Sequence, residues 1–333
     1  MLEKLTIKGF KSIASLDALE LKSINVLIGG NGAGKSNLIE FFKMLRAMQG
    51  LRLAEFGDQK PTCHLFFKNK GGITNFLFGG IQRTHEIFAR MVTSEGEFAF
   101  SVMPTAEGGT GRQELGVNPS SEWAVYQFHD TTQFARLRQP SLLTNAEELF
   151  PDGGNLAAFL CSIKETESYA QIVDMVRLAA PYFEDFVLEP YKEGDDEKVK
   201  LQWKQQDMLM KFQPHHLSDG TLRFICLATV LLQPKPPQLI IIDEPELGLH
   251  PEALEALAEL IHRCSSRTQF ILATQSPSFA DFFEPEEILT VSRVDGESRF
   301  ERQSKEKLGP WLESYSIGQL WRKNVIRGGV TNG

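Results

Sequence analysis

The sequence is poor in several features that would have pointed to other classes of protein. Four cysteines occur in 333 residues and none is within a CxxC spacing of another, so a zinc knuckle is not indicated. No run of 18 or more apolar residues exists, which argues against a membrane-spanning helix. The opening segment MLEKLTIKGF lacks the apolar core of a signal peptide, so a cytoplasmic location is expected.

The sequence also lacks a net positive charge: acidic residues outnumber basic ones, and the formal net charge is −8. Proteins that bind nucleic acid along a whole face are normally basic, because they neutralise phosphates. Any contact with DNA is therefore expected to use a local patch or a partner. Arg46, Arg52, Arg136 and Arg138 are candidates for such a patch, and ordinary solvated or paired arginines are the alternative. No internal repeat and no sustained heptad pattern occurs, so no long coiled coil is predicted.

Apolar periodicity predicts an α/β fold. In the last third of the chain, apolar strands alternate with helices, which is typical of a parallel sheet covered on both faces. The predicted strands are 2–8, 16–21, 24–28, 123–128, 185–189, 198–203, 208–213, 238–242, 268–273 and 287–293. The predicted helices are 35–48, 218–232 and 251–264, and further helices are predicted to dominate 145–180.

We interpret residues 1–333 as a single head with three parts. An antiparallel β-lobe is predicted as an insertion over about 50–130, with strands in ITNFLF, HEIFARMV and EFAFSVM and a loop over 104–121. A helical lobe is predicted over 145–235, and the second half of the core sheet over 236–333.

The segment GGNGAGKS fits the phosphate-loop pattern G-x-x-x-x-G-K-[ST]. It follows an apolar strand and opens an amphipathic helix, which is the context that this motif requires. Its glycines allow backbone N–H groups to face phosphate oxygens, and its lysine and serine are suited to the β- and γ-phosphates and to Mg²⁺. The predicted ATP-binding residues here are Gly29, Asn31, Gly32, Ala33, Gly34, Lys35, Ser36 and Asn37.

A second candidate group follows the apolar strand LIII. Asp243 is expected at the carboxyl end of the sheet, where it can serve the Mg²⁺ shell, and Glu244 is the candidate general base. The alternative is that Asp-Glu-Pro only ends the strand. The segment LSDGT at 217–221 is a third candidate, because a Ser-x-Gly loop at a helix N-terminus can bind an anion. One ATP does not need two phosphate sites on one chain, whereas a homodimer that shares nucleotides does.

These three motifs, in this order, resemble the ATPase heads of the RecF, SMC and OLD (overcoming-lysogenisation-defect) proteins. The similarity is greatest to short stand-alone bacterial AAA-type ATPases of that lineage, and it extends to LTIKGFKSI, GGNLAAFL and YSIGQLWRKNVI. It covers roughly 1–45 and 123–327 and is poor over 50–120. The resemblance implies an ABC-type P-loop ATPase that uses ATP and Mg²⁺.

The resemblance also implies roles for individual residues. Phe10, Lys11 and Ser12 would approach the nucleotide, Ser218 and Gly220 would face the partner's γ-phosphate, and Glu246, Leu247 and Gly248 would form the D-loop, with His250 beyond it. Asp219 replaces the glycine of transporter heads. Gln275 replaces the switch histidine of many relatives and cannot carry its charge. Gln82 is the candidate Q-loop ligand to Mg²⁺, with an ordinary surface glutamine as the alternative.

Other pairs of polar residues have less specific surroundings. His215-His216 lacks a third metal ligand at useful spacing, and His129-Asp130 lacks an accompanying nucleophile. Arg223, on the predicted signature helix, could stabilise phosphate charge across a dimer or have a local structural role.

The resulting hypothesis is a dimeric ATPase that closes on ATP and opens after hydrolysis. Relatives act in DNA repair, chromosome organisation and defence against phage, and many OLD proteins carry a Toprim nuclease. About 40 residues follow the strand at 287–293, so a nuclease or other effector is expected on a separate chain. The alternative is a nucleotide-gated scaffold or sensor with little hydrolysis. A transporter subunit is disfavoured by LSDGT and by Gln275.

Overall fold

The structure is a computed structural model that describes residues 1–53, 63–105, 110–326 and 330–331. It divides into two compact units. The first unit comprises Met1–Val125, Pro237–Glu244 and Thr268–Gly333, and the second comprises Tyr126–Pro236 and Pro245–Arg267. In the part of the chain that is described, no helix combines the length and apolar character needed to cross a bilayer.

Eighteen strands and nine α-helices are described. The strands are β1 (Leu2–Phe10), β2 (Ile13–Glu20), β3 (Ile24–Ile28), β4 (Ile87–Thr93), β5 (Gly96–Pro104), β6 (Thr110–Leu115), β7 (Trp123–Tyr126), β8 (Ser141–Leu142), β9 (Phe183–Val187), β10 (Tyr191–Glu193), β11 (Asp196–Val199), β12 (Gln202–Gln205), β13 (Lys211–Phe212), β14 (Leu239–Asp243), β15 (Gln269–Thr274), β16 (Ile288–Val294), β17 (Glu297–Arg302) and β18 (Val330–Thr331). The helices are α1 (Lys35–Met48), α2 (Cys63–Asn69), α3 (Leu156–Ser162), α4 (Glu167–Ala179), α5 (Asp219–Leu232), α6 (Pro251–Cys264), α7 (Pro277–Ala280), α8 (Lys305–Leu312) and α9 (Ile317–Arg322).

The core sheet has the order β17-β16-β3-β15-β14-β7, with β18 paired to β16. Strands β14, β15, β3 and β16 pair in parallel, whereas β17 returns antiparallel to β16. All five residues of β3 are buried, which explains its continuous apolar sequence INVLI. Because parallel strands end at the same edge, the segments that follow β3, β14 and β15 lie at one edge of this sheet.

A second sheet of the first unit is antiparallel, with the order β2-β1-β4-β5-β6. Helix α1 packs against it through Phe41, whose ring lies 5.5 Å from Phe10 and 6.1 Å from Phe100. The adjacent Phe42 contacts Trp123 of the core sheet at 5.8 Å. The helix that begins at the phosphate loop is therefore held between two sheets by buried aromatic rings.

The second unit is built around α4, α5 and α6, which pack together. Most of α5 is buried, because its sequence LRFICLATVLL has apolar residues on nearly every side. Two small sheets, β10-β11-β8 and β13-β12-β9, complete this unit.

Local predictions from sequence succeed where periodicity is strong. Strand β3 and helices α1 and α6 have the predicted bounds. Two predictions for the inserted lobe are wrong. The segment ITNFLF forms a 3₁₀ helix over Ile73–Phe76, in which Ile73 and Phe76 are buried at helical spacing. The predicted loop over 104–121 contains β6, which pairs antiparallel with β5.

Candidate active site

The phosphate loop connects the end of β3 to the start of α1. Two of its glycines, Gly32 and Gly34, have φ values of 78° and 116°, a region that other residues rarely adopt. A Cβ on Gly29 would lie 2.3 Å from the carbonyl oxygen of Val291, and a Cβ on Gly34 would lie 1.9 Å from Ser298 Oγ. Gly32 and Gly34 are therefore required by backbone conformation, and Gly29 and Gly34 by close packing behind the loop.

The N-terminus of α1 fits an anion. Gly34 occupies the N-cap, and among the described residues no side chain caps this end. The first turn, KSNL, contains no acidic residue, so the positive end of the helix dipole is not neutralised locally. Lys35 is 6% exposed and its ammonium donates to the carbonyl oxygens of Gly29 and Gly30, which keeps it at the mouth of the loop. This donor set suits a polyphosphate.

Asp243 and Glu244 lie at the edge of the sheet where the phosphate loop begins. Asp243 ends β14 and pairs with Ala273 of β15, and Glu244 N donates to the same residue's carbonyl oxygen at 2.8 Å. Glu244 has a φ of 50°, and such strained conformations in non-glycine residues concentrate at functional sites. Gln275, just after β15, donates its Nε2 to Glu244 Oε1. The candidate base and Gln275, which is predicted to occupy the switch position, are thus brought into direct contact.

The residues present fit a Mg²⁺ ion of the kind that is completed by nucleotide phosphates and water. Ser36 is exposed in the first turn of α1, and Asp243 is half-buried at the same sheet edge. Within the described ranges, no group of three or more His, Cys, Asp or Glu side chains could form a metal cage. A hydroxyl and one carboxylate, with phosphate oxygens, form a donor set that Mg²⁺ accepts.

Gln82 lies in an exposed turn between the 3₁₀ helix at Ile73–Phe76 and β4. Its assignment to the metal stays a prediction. Gln127 was not considered from sequence, although it directly follows β7, the strand beside β14. Gln238 N donates to Glu122 O at 2.8 Å, so β7 and β14 start side by side. The available signal was the apolar run WAVY directly before Gln127.

Lys11 and Ser12 occupy the turn between β1 and β2, and their side chains have different surroundings. The Lys11 ammonium lies over the Phe76 ring, 4.7 Å from its centroid. Partial burial lowers the pKa of Lys11 below its usual value, with Glu40 opposing and Lys70 reinforcing that shift. Ser12, in contrast, is 5% exposed and accepts a hydrogen bond from the phosphate-loop helix.

The signature residues belong to the second unit, where Ser218 and Asp219 are exposed and Gly220 is partly exposed. Ser218 caps α5 by accepting from Thr221 N at 3.1 Å. A Cβ on Gly220 would lie 2.2 Å from the carbonyl oxygen of Gly248, so the signature glycine is required where the D-loop passes. The N-terminus of α5 is therefore in direct contact with the segment Glu246–Gly248.

Two arginines explain how this loop is held. Arg138 donates to the carbonyl oxygens of Pro214, Leu217 and Thr131, and pairs with Asp219 at 2.8 Å. The departure of Asp219 from the transporter pattern is thus accompanied by a basic partner. Arg223 donates to the carbonyl oxygens of Phe128, His129 and Leu247. Two other arginines of the predicted basic patch are also engaged: Arg46 donates to Arg52 O and Arg136 pairs with Asp152.

The pairs His215-His216 and His129-Asp130, and also His250, have hydrogen-bond partners close by in the chain or in the second unit. His216 Nδ1 accepts from Gln213 N, and its ring lies 4.2 Å from that of His215. His129 accepts from Arg223 through its carbonyl oxygen, and Asp130 accepts from Thr132. His250 holds the N-cap position of α6, and its carbonyl oxygen accepts from Leu254 N.

Comparison with known proteins identifies the family. The profile of the family described as "AAA domain, putative AbiEii toxin, Type IV TA system" matches residues 24–91 and 105–281. Two curated relatives are energy-coupling factor transporter ATP-binding proteins. EcfA3 of Oenococcus oeni is 23% identical over 43% of this chain and 49% of its own length. EcfA2 of Ligilactobacillus salivarius is 28% identical over 31% of this chain and 35% of its own length. The chain thus spans half or less of these relatives.

Three solved structures with the same fold are SMC heads. An SMC head bound to the C-winged helix domain of ScpA has a TM-score of 0.65 and 18% identity, and the match covers 92% of this chain and 99% of that one. The head from Pyrococcus furiosus bound to the C-terminal domain of ScpA has a TM-score of 0.62 and 17% identity, covering 94% and 98%. The Thermotoga maritima head has a TM-score of 0.52 and 15% identity, covering 90% and 98%.

These matches confirm the predicted fold class and lineage. The family profile spans the phosphate loop, the signature segment and the acidic end of β14, which are the parts that the site geometry singles out. The chain therefore belongs to this AAA domain family, and it has the ABC-type P-loop NTPase fold of an SMC head.

Proposed function

We propose that this ATPase works as an ATP-driven dimer switch. Two copies would each bind one ATP on the phosphate loop, and each would present Ser218 and Gly220 to the nucleotide of its partner. The observation that supports this proposal is the presence on one chain of two separate helices, α1 and α5, each of which begins at a loop with serine or glycine of a kind suited to an anion. Only the first is accompanied by a lysine, an acidic strand end and a candidate base.

In this proposal each residue of the first unit has a separate task. The backbone N–H groups of the loop and the Lys35 ammonium neutralise the phosphate charge. Ser36 and Asp243 would hold Mg²⁺, which supplies charge neutralisation between the phosphates. Glu244 accepts the proton of the attacking water at its carboxylate. Gln275, by donating to Glu244 Oε1, fixes the orientation of that carboxylate without adding a charge.

The shared site is tested by mixing two inactive variants. Lys35→Ala removes the phosphate lysine, and Ser218→Arg blocks the signature loop, so each homodimer has two defective sites. A mixed dimer would contain one site with both defects and one intact site. When equal amounts associate at random, half of the dimers contain one chain of each variant, and each of these has one intact site out of two. About a quarter of the phosphate release of the parent protein is therefore expected.

The matched control for this experiment mixes Lys35→Ala with a chain that carries both substitutions. No intact site can form in that mixture, so no recovery is expected. If the first mixture releases no more phosphate than the two variants measured separately, the shared-site arrangement is contradicted.

A second candidate is a nucleotide-gated scaffold that hydrolyses ATP very slowly. The observation that favours it is Gln275, which stands where a titratable histidine would otherwise assist hydrolysis. Steady-state phosphate release by the parent protein distinguishes the two candidates, since a switch that resets itself by hydrolysis requires measurable turnover.

The switch is further proposed to drive an effector on another chain, in DNA repair or in defence against phage. Two considerations support this. Two of the similar SMC heads are bound to domains of ScpA, and the description of the matching family includes a toxin–antitoxin system. A nuclease, of Toprim or another type, is the effector class we favour, with DNA reached through a local patch or through that partner.

Co-purification tests the effector. The tagged chain, expressed in its native host with ATP and Mg²⁺ present, is expected to recover a second polypeptide at a fixed ratio, and Glu244→Gln should increase its recovery by holding the closed state. The Lys35→Ala variant is the control that should lose it. Recovery of the ATPase alone under all three conditions would contradict a stable effector.

A further inference from the structure

Two serines from opposite ends of the chain meet behind the phosphate loop. Ser12 follows β1, and Ser298 is the second residue of β17, so 286 positions separate them. They are 5% and 3% exposed, and Ser298 N donates to Ser12 O at 2.7 Å. Both lie outside the residues that the family profile matches. Two buried hydroxyls in contact need defined partners, because an unsatisfied buried polar group is costly.

The direction of each hydrogen bond follows from the number of hydrogens. Ser298 Oγ donates to the carbonyl oxygen of Ala33 at 2.7 Å. A hydroxyl has one hydrogen, so the 2.6 Å contact between the two serine oxygens must be donated by Ser12. Ser12 can then only accept from Asn37, whose Nδ2 lies 2.6 Å away. The chain of hydrogen bonds therefore runs from Asn37 through both serines to Ala33.

This chain of bonds fixes one peptide of the phosphate loop. The structure contains no cis peptide among the described residues, and in a trans peptide the C=O and N–H groups point in opposite directions. Because the Ala33 carbonyl is held by Ser298, the Gly34 N–H faces away from Ser298. Ser298 also limits Gly34 itself, since a Cβ there would overlap its Oγ at 1.9 Å. Ser298 thus contacts two successive residues of the loop.

We infer that Ser298 is a positioning residue for the nucleotide phosphates. It holds the Ala33–Gly34 peptide so that the Gly34 N–H is presented to the phosphates, and Ser12 and Asn37 hold Ser298 in turn. The inference rests on the proposed ATP-binding role of the phosphate loop. It assigns to β17, a strand that carries no recognised nucleotide-binding motif, a defined part in substrate binding.

The test separates nucleotide affinity from stability. Ser298→Ala is expected to raise the Kd and the KM for ATP about tenfold, while kcat at saturating ATP stays within about twofold, because the lost interaction serves the bound substrate and the transition state equally. Ser12→Ala should have a similar effect. The Kd for ATP of the double variant should equal that of either single variant, and the two increases should not multiply, since either change breaks the same chain of bonds.

Ser120→Ala is the matched control. Ser120 is fully buried in the same unit, and its hydroxyl donates to Leu45 O at 3.1 Å, near the far end of α1. This variant should lower the unfolding temperature as much as Ser298→Ala does and leave the Kd for ATP unchanged. A parental Kd in Ser298→Ala, or an equal loss of affinity in Ser120→Ala, would overturn the inference. Failure of the parent itself to bind ATP would instead contradict the proposed function.

Discussion

Glu244→Gln is expected to lower ATP turnover by roughly 10²–10⁴-fold, the usual contribution of a general base, while ATP binding is retained. The substituted amide keeps the size and the contact with Gln275 but cannot accept a proton from water. An ATP-bound dimer should therefore accumulate. Phosphate release measures the first effect, and light scattering with and without ATP measures the second.

Glu252→Gln is the control for this prediction. Glu252 is an exposed carboxylate in the first turn of α6, only eight positions along the chain, and its loss should leave turnover and dimerisation at parental values. Parental turnover in Glu244→Gln would remove Glu244 from the mechanism, whatever the state of assembly.

Gly34→Ala is expected to weaken ATP binding by about 100-fold or more. At a φ of 116° an alanine is strained, and its Cβ would lie 1.9 Å from Ser298 Oγ and 2.8 Å from Ser298 Cβ. Strain and overpacking together cost about 3 kcal/mol, and each 1.4 kcal/mol is a factor of ten in affinity. Relief of this overlap requires the loop or β17 to move. Titration with ATP measures the loss of affinity.

Gly296→Ala separates the effect of backbone strain from the effect of overlap with Ser298. Gly296 lies in the turn between β16 and β17 with a φ of 85°, but a Cβ there would meet no atom within 4 Å. It should show the backbone strain alone, as a modest fall in unfolding temperature with parental ATP affinity. If Gly34→Ala binds ATP as tightly as Gly296→Ala does, the loop does not hold phosphate in the way we propose.

Local sequence patterns predicted the elements that enclose the site. The apolar run INVLI is continuous and the helix that follows it is amphipathic, so β3 and α1 could be placed from sequence. The segment TGRQEL could not, because it is polar and becomes β6 only by pairing with β5. Helix α8 was missed because it includes Pro310, which sequence rules place outside helices.

The residues of the site likewise divide into those that local sequence predicts and those that only the folded chain brings together. The phosphate loop is local and was recognised from eight consecutive residues, and Gln275 was noticed through a resemblance. Its contact with Glu244 depends on the register of β14 against β15, which no single segment encodes. Ser298 was missed entirely, since a serine in a polar strand carries no signal until β17 is placed beside the loop. The pairing of Asp219 with Arg138 likewise required the fold.

The way in which the first unit is assembled has a consequence for biosynthesis. Strand β3 carries the phosphate loop near the beginning of the chain, yet its two neighbours in the sheet, β15 and β16, are translated more than 240 positions later. Contacts so distant in sequence form slowly and cannot form on a partly made chain. The nucleotide site therefore cannot be completed until β15 and β16 have been translated, and translation products that end before these strands lack that site.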